Sequence, residues 1–428
     1  MKPPNTRRAG CVVLLLLCIA PVRAPAHDDP SGGRLSGSVD AGFDSFQERY
    51  SIVDEDTLDS ITEFRSRLAL GYENGSPFGD YFHLQGITVL GDQNFEYTGQ
   101  LDLIERFGPR ASRLVLFADV THRGFLDDSS YEFANDHTRY YLRSYAKWDA
   151  ADWASLRVSD RVEHVDFAER TEFDYDHTRN TVSLQSELNW HLVHFFAAGL
   201  DFTTMTIPDT TEIQYESWKP LVEYRAAPGL YKSILLYASA ERRRYAHEPA
   251  KSSFWAIIAN ASVEWPLTDV VGVEFRDETE RYDYDDDSGV YFDYTETRNA
   301  ILMKYNKSWN VRLGAGPAFS FFVSNASPED EYHELGGKLT LEYGLGTAVW
   351  LSGSYEPGKR SYRTFNAARD EPTVYSDYTY HRVSLLANVR LLDGVSLNAF
   401  ADVQPEDHER EGDDATATLV SVSLTYSF

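Results

Sequence analysis

Guanidinium and carboxylate groups at alternate positions are the side chains of this sequence best suited to recognising a ligand. Arg65 and Arg67 follow Glu63 at steps of two, and Arg139 and Arg143 stand in one phase, as do Arg157, Arg161 and Glu163. Arg113 and Asp119 share a phase in an earlier segment, and Arg298 and Arg382 lie in later ones. Steps of two put side chains on one face of an extended chain. A face of guanidiniums matches carboxylate and phosphate with two parallel hydrogen bonds. The chemistry on offer is reversible, selective binding of anions; the plainer reading is a wet wall whose charges pair across neighbouring strands.

Signatures of bond-breaking chemistry are absent or incomplete. There is no G-x-S-x-G, H-E-x-x-H or C-x-x-C. Gly353–Lys359 has phosphate-loop spacing, but Arg360 stands where Ser or Thr is required. Asp283, Asp285 and Asp287 form a weak candidate cation loop, with its glycine one place late and Tyr294 where a bidentate Glu belongs. His191 and His194 lack a third ligand, and no nucleophile accompanies His381. The expectation is no metal, no other cofactor and no enzyme activity.

The elements that position these charges read as strands. Phe64, Leu68, Leu70 and Tyr72 oppose the Glu63, Arg65, Arg67 face. Leu114, Leu116, Ala118 and Val120 oppose Arg113 and Asp119, while Tyr140, Leu142, Ala146 and Trp148 oppose Arg139, Arg143 and Lys147. The last stretch, Thr416–Phe428, alternates Val420, Val422, Leu424, Tyr426 and Phe428 with Ser421, Ser423, Thr425 and Ser427. About twenty such strands (roughly 18–22) can be laid out, joined alternately by tight turns and by longer acidic loops such as Asp54–Asp59 and Glu406–Asp414. No window of eighteen apolar residues occurs, so no transmembrane helix is expected. The pattern predicts an all-β, transmembrane, antiparallel up-and-down barrel, apolar outside and polar inside, with short periplasmic turns and longer extracellular loops. A β-helix would need a short repeat that is not there. A sandwich would need one core larger than single cores grow, about 250–300 residues. A charge facing lipid at the midplane costs about 2–4 kcal/mol, so strict segregation of charge to the inner face is expected.

Residues 1–26 read as a cleavable signal peptide: basic Lys2, Arg7 and Arg8, the apolar run Cys11–Ala20, then Ala24-Pro25-Ala26. A short periplasmic segment, 27–34, would lead into a single barrel domain, 35–428. Both cysteines, Cys11 and Cys18, fall in the removed segment, so disulfides, cysteine-bound zinc, iron–sulfur clusters and covalent haem are excluded from the mature chain. The signal holds four basic and no acidic residues; without it the net charge moves from −27 to −31. Nucleic acid is excluded as a partner.

The closing stretch resembles the terminal strand of Gram-negative outer-membrane proteins. The resemblance implies that Tyr426 and Phe428 form the signal read by the barrel-assembly machinery. It also implies an outer-membrane location, reached by export through the inner membrane, with outer-membrane lipids and lipopolysaccharide as surroundings. In size and in its arginine-bearing lumen the chain is similar to barrels that release alginate-type or glucosamine-type polymers. That likeness implies a channel for hydrophilic solutes or for an exported polymer such as a polysaccharide, a small-solute porin being the sibling reading. An alternative is a porin-like sheath around a partner, for example a multihaem cytochrome in electron transfer across the outer membrane. Barrels of 16–18 strands already hold an aqueous channel and 22-stranded ones are plugged. Inward folding of a loop such as Glu356–Pro372, or a separate plug or periplasmic partner protein, is therefore expected.

Overall fold

The computed structural model describes residues 33–52, 55–75, 80–107, 112–126, 135–169, 174–191, 193–208, 213–229, 232–246, 251–286, 291–308, 310–325, 328–364, 376–410 and 413–428. Residues 1–26, expected to be a signal peptide, lie outside the described residues. Twenty strands follow one another: β1 (Arg34–Ile52), β2 (Glu55–Gly75), β3 (Tyr81–Gly91), β4 (Asn94–Arg106), β5 (Arg113–Phe125), β6 (His137–Ala151), β7 (Ala154–Phe167), β8 (His177–Trp190), β9 (His194–Thr206) and β10 (Tyr215–Gly229). Then come β11 (Lys232–Tyr245), β12 (Phe254–Pro266), β13 (Val271–Tyr284), β14 (Tyr294–Ser308), β15 (Val311–Ser324), β16 (Tyr332–Leu345), β17 (Val349–Tyr362), β18 (Tyr378–Leu392), β19 (Val395–His408) and β20 (Ala415–Ser427).

Each strand pairs antiparallel with its neighbours in sequence, and β1 pairs with β20, so the sheet closes. Closure reaches the last residue: Gly37 N–H donates to Phe428 O and Phe428 N–H to Gly37 O, both at 3.0 Å. A closed sheet leaves no unpaired edge, the condition for a sheet to survive in hydrocarbon. Tight turns cluster at one end. At the Asp393-Gly394 hairpin Gly394 adopts φ +77°, which its missing Cβ permits. The longer connections, such as Phe125 to His137, lie at the other end.

Period-two alternation separates the two faces. Side chains converge on a concave wall and diverge on a convex one. The buried polar set (Glu63, Asp119, Glu187, Glu274, Lys304, Glu334) lies in one phase, which is therefore the lumen side. The opposite phase exposes Leu70, Leu142, Trp148, Leu184, Met303 and Leu385, an apolar outer wall. Extensive strand–strand contacts join only hydrogen-bonded neighbours, so no described strand packs across the lumen.

Three expectations need correction. The acidic loop expected at Asp54–Asp59 is largely strand, because β2 begins at Glu55 and pairs with β1 as far as Ile52. The loop expected at Glu356–Pro372 starts later, since β17 runs to Tyr362; residues 365–375 lie outside the described residues. In both places the backbone ladder continues past the apolar alternation, because pairing N–H with C=O does not require apolar side chains. The third correction concerns charge segregation. Asp160 on β7 and Asp277 on β13 fall in the convex phase, opposite Ser144 and Asn299 respectively.

Candidate functional site in the lumen

The lumen wall has two unlike sectors. On β5–β7 the ladder sets cation against cation: Arg113 faces Lys147, Lys147 faces Arg157, and Arg143 faces Arg161. Like charges directly opposite one another destabilise a sheet. Glu187 on β8 reaches across to Lys147 at 2.6 Å and also accepts Ser155 Oγ at 3.2 Å. Asp119 accepts from Arg139 at 3.3 Å, and Glu163 pairs with Arg179. Among the described residues, Arg113, Arg143, Arg157 and Arg161 have no carboxylate at ion-pair distance. Three of them gather on one ring: the guanidinium carbons of Arg157, Arg143 and Arg113 lie 4.4, 5.7 and 5.8 Å from the centre of Tyr145. The Nε atoms of Arg113 and Arg157 are buried without a hydrogen-bond partner. Cation–π attraction of about 0.5–1 kcal/mol each offsets part of their mutual repulsion. It neutralises none of the charge.

On β12–β18 the same phase carries guanidiniums paired with carboxylates and stacked rings, although Glu264 faces Glu274 and Glu280 faces Glu296. Glu274 accepts from Arg276 at 2.6 Å and forms an ion pair with Lys304 at 2.9 Å. Glu334 accepts from Ser320 at 2.7 Å, Arg360 Nε at 2.8 Å and Arg382 at 3.3 Å. Near the long-loop end, a ribbon of rings runs along the inner wall. It passes from Phe254 to Tyr282, Tyr294, Phe322 and Tyr332, with neighbouring centroids 5.0–5.5 Å apart. Arg360 lies 3.9 Å over Tyr332, and Arg382 4.2 Å over Tyr380. Tyr332 donates to Glu296 at 3.0 Å.

The sequence candidates therefore separate. Arg113, Arg139, Arg143, Arg157, Arg161, Asp119 and Glu163 come together on adjacent strands. Arg65 is held by Glu63 at 2.8 Å, and Asn94 donates to Glu63 at 2.9 Å. Arg67 pairs with Asp40 at 3.1 Å. Arg298 pairs with Glu296 at 2.7 Å and Arg382 belongs to the Glu334 network, both far along the sheet from β5–β7. Asp283 is engaged by Arg281 at 2.8 Å and Asp285 by Arg242; Asp287 lies outside the described residues. The hydrogen bond from Arg242 holds the Asp285 carboxyl below its ordinary range. No group of three His, Cys, Asp or Glu that could hold a metal occurs among the described residues. His381 accepts or donates to Tyr355 OH at 2.8 Å on the outer wall. Tyr426 pairs with Val39 and Val395, and its ring lies 5.9 Å from that of Phe428. The inner aromatic ribbon escapes sequence reading that tracks charge alone; the signal was that Tyr282, Tyr284, Tyr294 and Tyr332 share the phase of Glu280, Glu296 and Glu334.

No family model matches this chain, and no curated protein matches it. Solved structures do match in shape. The ferric-catecholate import receptor Fiu of Escherichia coli K12 superposes with a TM-score of 0.55 at 10% identity, over 91% of this chain and 82% of its own. The ferric enterobactin receptor of Pseudomonas aeruginosa gives 0.53 at 11% identity, over 94% and 81%. The siderophore receptor PirA of the same organism gives 0.51 at 11%, over 92% and 80%. At such identities the shared property is the fold, which in this chain is a closed, 20-stranded barrel of the outer-membrane type.

Proposed function

We propose that this protein is an outer-membrane channel for hydrophilic solutes, selective for anions, with an exported acidic polysaccharide as the cargo that fits it best. The observation that carries the reading is the facing set Arg113, Arg143, Arg157 and Arg161, which no carboxylate neutralises among the described residues. A wall built only for solubility would pair its guanidiniums, as β12–β18 do. Guanidiniums left open on a wet wall offer two-pronged binding to carboxylate or phosphate.

The polymer reading rests on height. Arg113 and Arg157 lie near the tight-turn end, Arg143 and Arg161 above them, and Arg139 and Arg123 towards the long-loop end. A repeating anion engages several levels at once, whereas a small anion engages one. The lumen of a 20-stranded barrel is also wide enough to need closing, and we infer a plug or periplasmic partner protein that fills or caps it.

Planar-bilayer recording of the purified barrel tests the reading. The expected result is a large conductance whose reversal potential in a salt gradient reports anion preference, narrowed by an acidic oligosaccharide added to one side. A cation-selective or unselective pore overturns it. A haem protein that co-purifies with a non-conducting barrel would favour the sheath instead.

A further inference from the structure

The outer wall carries two carboxylates where hydrocarbon should lie. On β12, Trp255 and Trp265 both point outward, 45% and 43% exposed, and bracket the strand as interfacial girdles do. Between them Ala261 faces Asp277 on β13, and Asp277 faces Asn299 on β14. The next row is Ala238, Ala259, Thr279 and Thr297, in which the two threonine hydroxyls bond at 3.2 Å. On β6, Tyr140 and Trp148 likewise point outward and bracket Ser144, which faces Asp160 on β7. Asn180 on β8 stands diagonally beside Asp160. Oδ1 of Asp160 and Oδ1 of Asn180 have no hydrogen-bond partner but are already covered by the chain itself, so this second patch presents neither to another surface. Neither Asp160 nor Asp277 is paired with a cation among the described residues.

Acyl chains donate no hydrogen bond, so a midplane carboxylate facing lipid stays unsatisfied. A protein surface can satisfy it. We propose that the β11–β14 face is a contact between copies of this chain in the membrane. There the Asp277 carboxylate of one copy accepts amide N–H from Asn299 of a second copy. The occupant is a second copy because the patch pairs an acceptor-only group with an amide that has two donors. Asp277 with Asn299 thus carries its own complement. Ala238, Ala259 and Ala261 leave the β11–β14 face low, so two walls approach closely, as small residues allow between membrane segments.

The proposal is independent of the channel reading, and its test does not measure conductance. Cys11 and Cys18 are the only cysteines in the sequence. In barrel purified from outer membranes and reconstituted in lipid bilayers, Ala259→Cys is expected to cross-link chain to chain under mild oxidation. Leu341→Cys, on the outward face of β16, is the control and is expected to stay monomeric. The double variant Asp277→Leu, Asn299→Leu, carried on Ala259→Cys, is expected to lower the cross-linked fraction at least tenfold. It should keep the heat-modifiable gel mobility of a folded barrel. Equal cross-linking at positions 259 and 341 overturns the proposal, as does a monomer by native mass spectrometry at every lipid ratio, or cross-linking only to a different protein. Should the double variant fail to fold, the comparison of positions 259 and 341 still decides.

Discussion

The β5–β7 wall and the β12–β18 wall face the same lumen with the same residue types, yet they differ in what their arginines do. On β13–β18 each guanidinium is consumed: Arg276 by Glu274, Arg298 by Glu296, Arg360 and Arg382 by Glu334. On β5–β7 arginine faces cation, and a tyrosine ring is the partner for three of them. Net charge hides this contrast, because the whole chain is acidic. What matters is whether a charge is neutralised by its ladder neighbours, since only an open charge acts on a passing solute. In the channel proposed above, the paired wall would contribute stiffness and the unpaired wall selectivity.

Breaking the paired wall should have the largest effect. Glu334→Gln leaves Arg360 and Arg382 without their shared carboxylate and should lower stability by about 2 kcal/mol, the typical cost of an unmade hydrogen bond to a charged group. Urea unfolding in detergent measures it. Arg157→Gln on the unpaired wall, where no salt bridge is lost, should change stability by no more than about 0.5 kcal/mol. Equal losses at the two positions would erase the distinction.

Selectivity should respond in the opposite sense. Arg143→Gln, Arg157→Gln and Arg161→Gln together should lower the anion-to-cation permeability ratio roughly tenfold, within the range attributed to focused fields in charged clefts. Glu334→Gln should move the ratio little. A smaller change should follow from salt alone: between 0.1 and 1 M the Debye length falls from about 10 to about 3 Å, so the wild-type preference should weaken steadily. A preference that persists at 1 M would mean that the arginines bind at contact rather than steer.

The smallest effect concerns the Arg242–Asp285 pair at the outer rim. The folded carboxyl titrates below its ordinary value of 3.8. Its contribution is therefore fully present above that value and is lost as pH falls through the lower, folded one. Asp285→Asn should remove at most about 0.5 kcal/mol at neutral pH, as for exposed pairs, and should flatten that part of the acid limb below about pH 4. A change in the neutral range instead would show that Asp285 has another partner.

Much of the barrel was legible because its signal is local. Val420, Val422, Leu424 and Tyr426 alternate with Ser and Thr, and that alternation alone assigns faces. Tight turns such as Asp393-Gly394 mark the strand ends. The lumen arginines could be assigned to a face in the same way. Their pairing could not. Glu334 meets Arg360 and Arg382 from strands up to 48 positions away, whereas Arg143 meets Arg161, and only register says which occurs. Strict charge segregation failed for a related reason. Asp160 and Asp277 look like isolated lapses in their own strands, and only with Ser144, Asn180 and Asn299 beside them do they become patches.

Thus the sequence by itself determined that the chain alternates, that it crosses about twenty times, and that its last strand can close on its first, because period two is a property of each backbone segment. The tertiary structure alone decided which charges cancel, where rings stack into a ribbon, and which polar groups meet on the outer wall. Those depend on neighbours across the ladder, and the ladder's register is set only when the whole sheet closes.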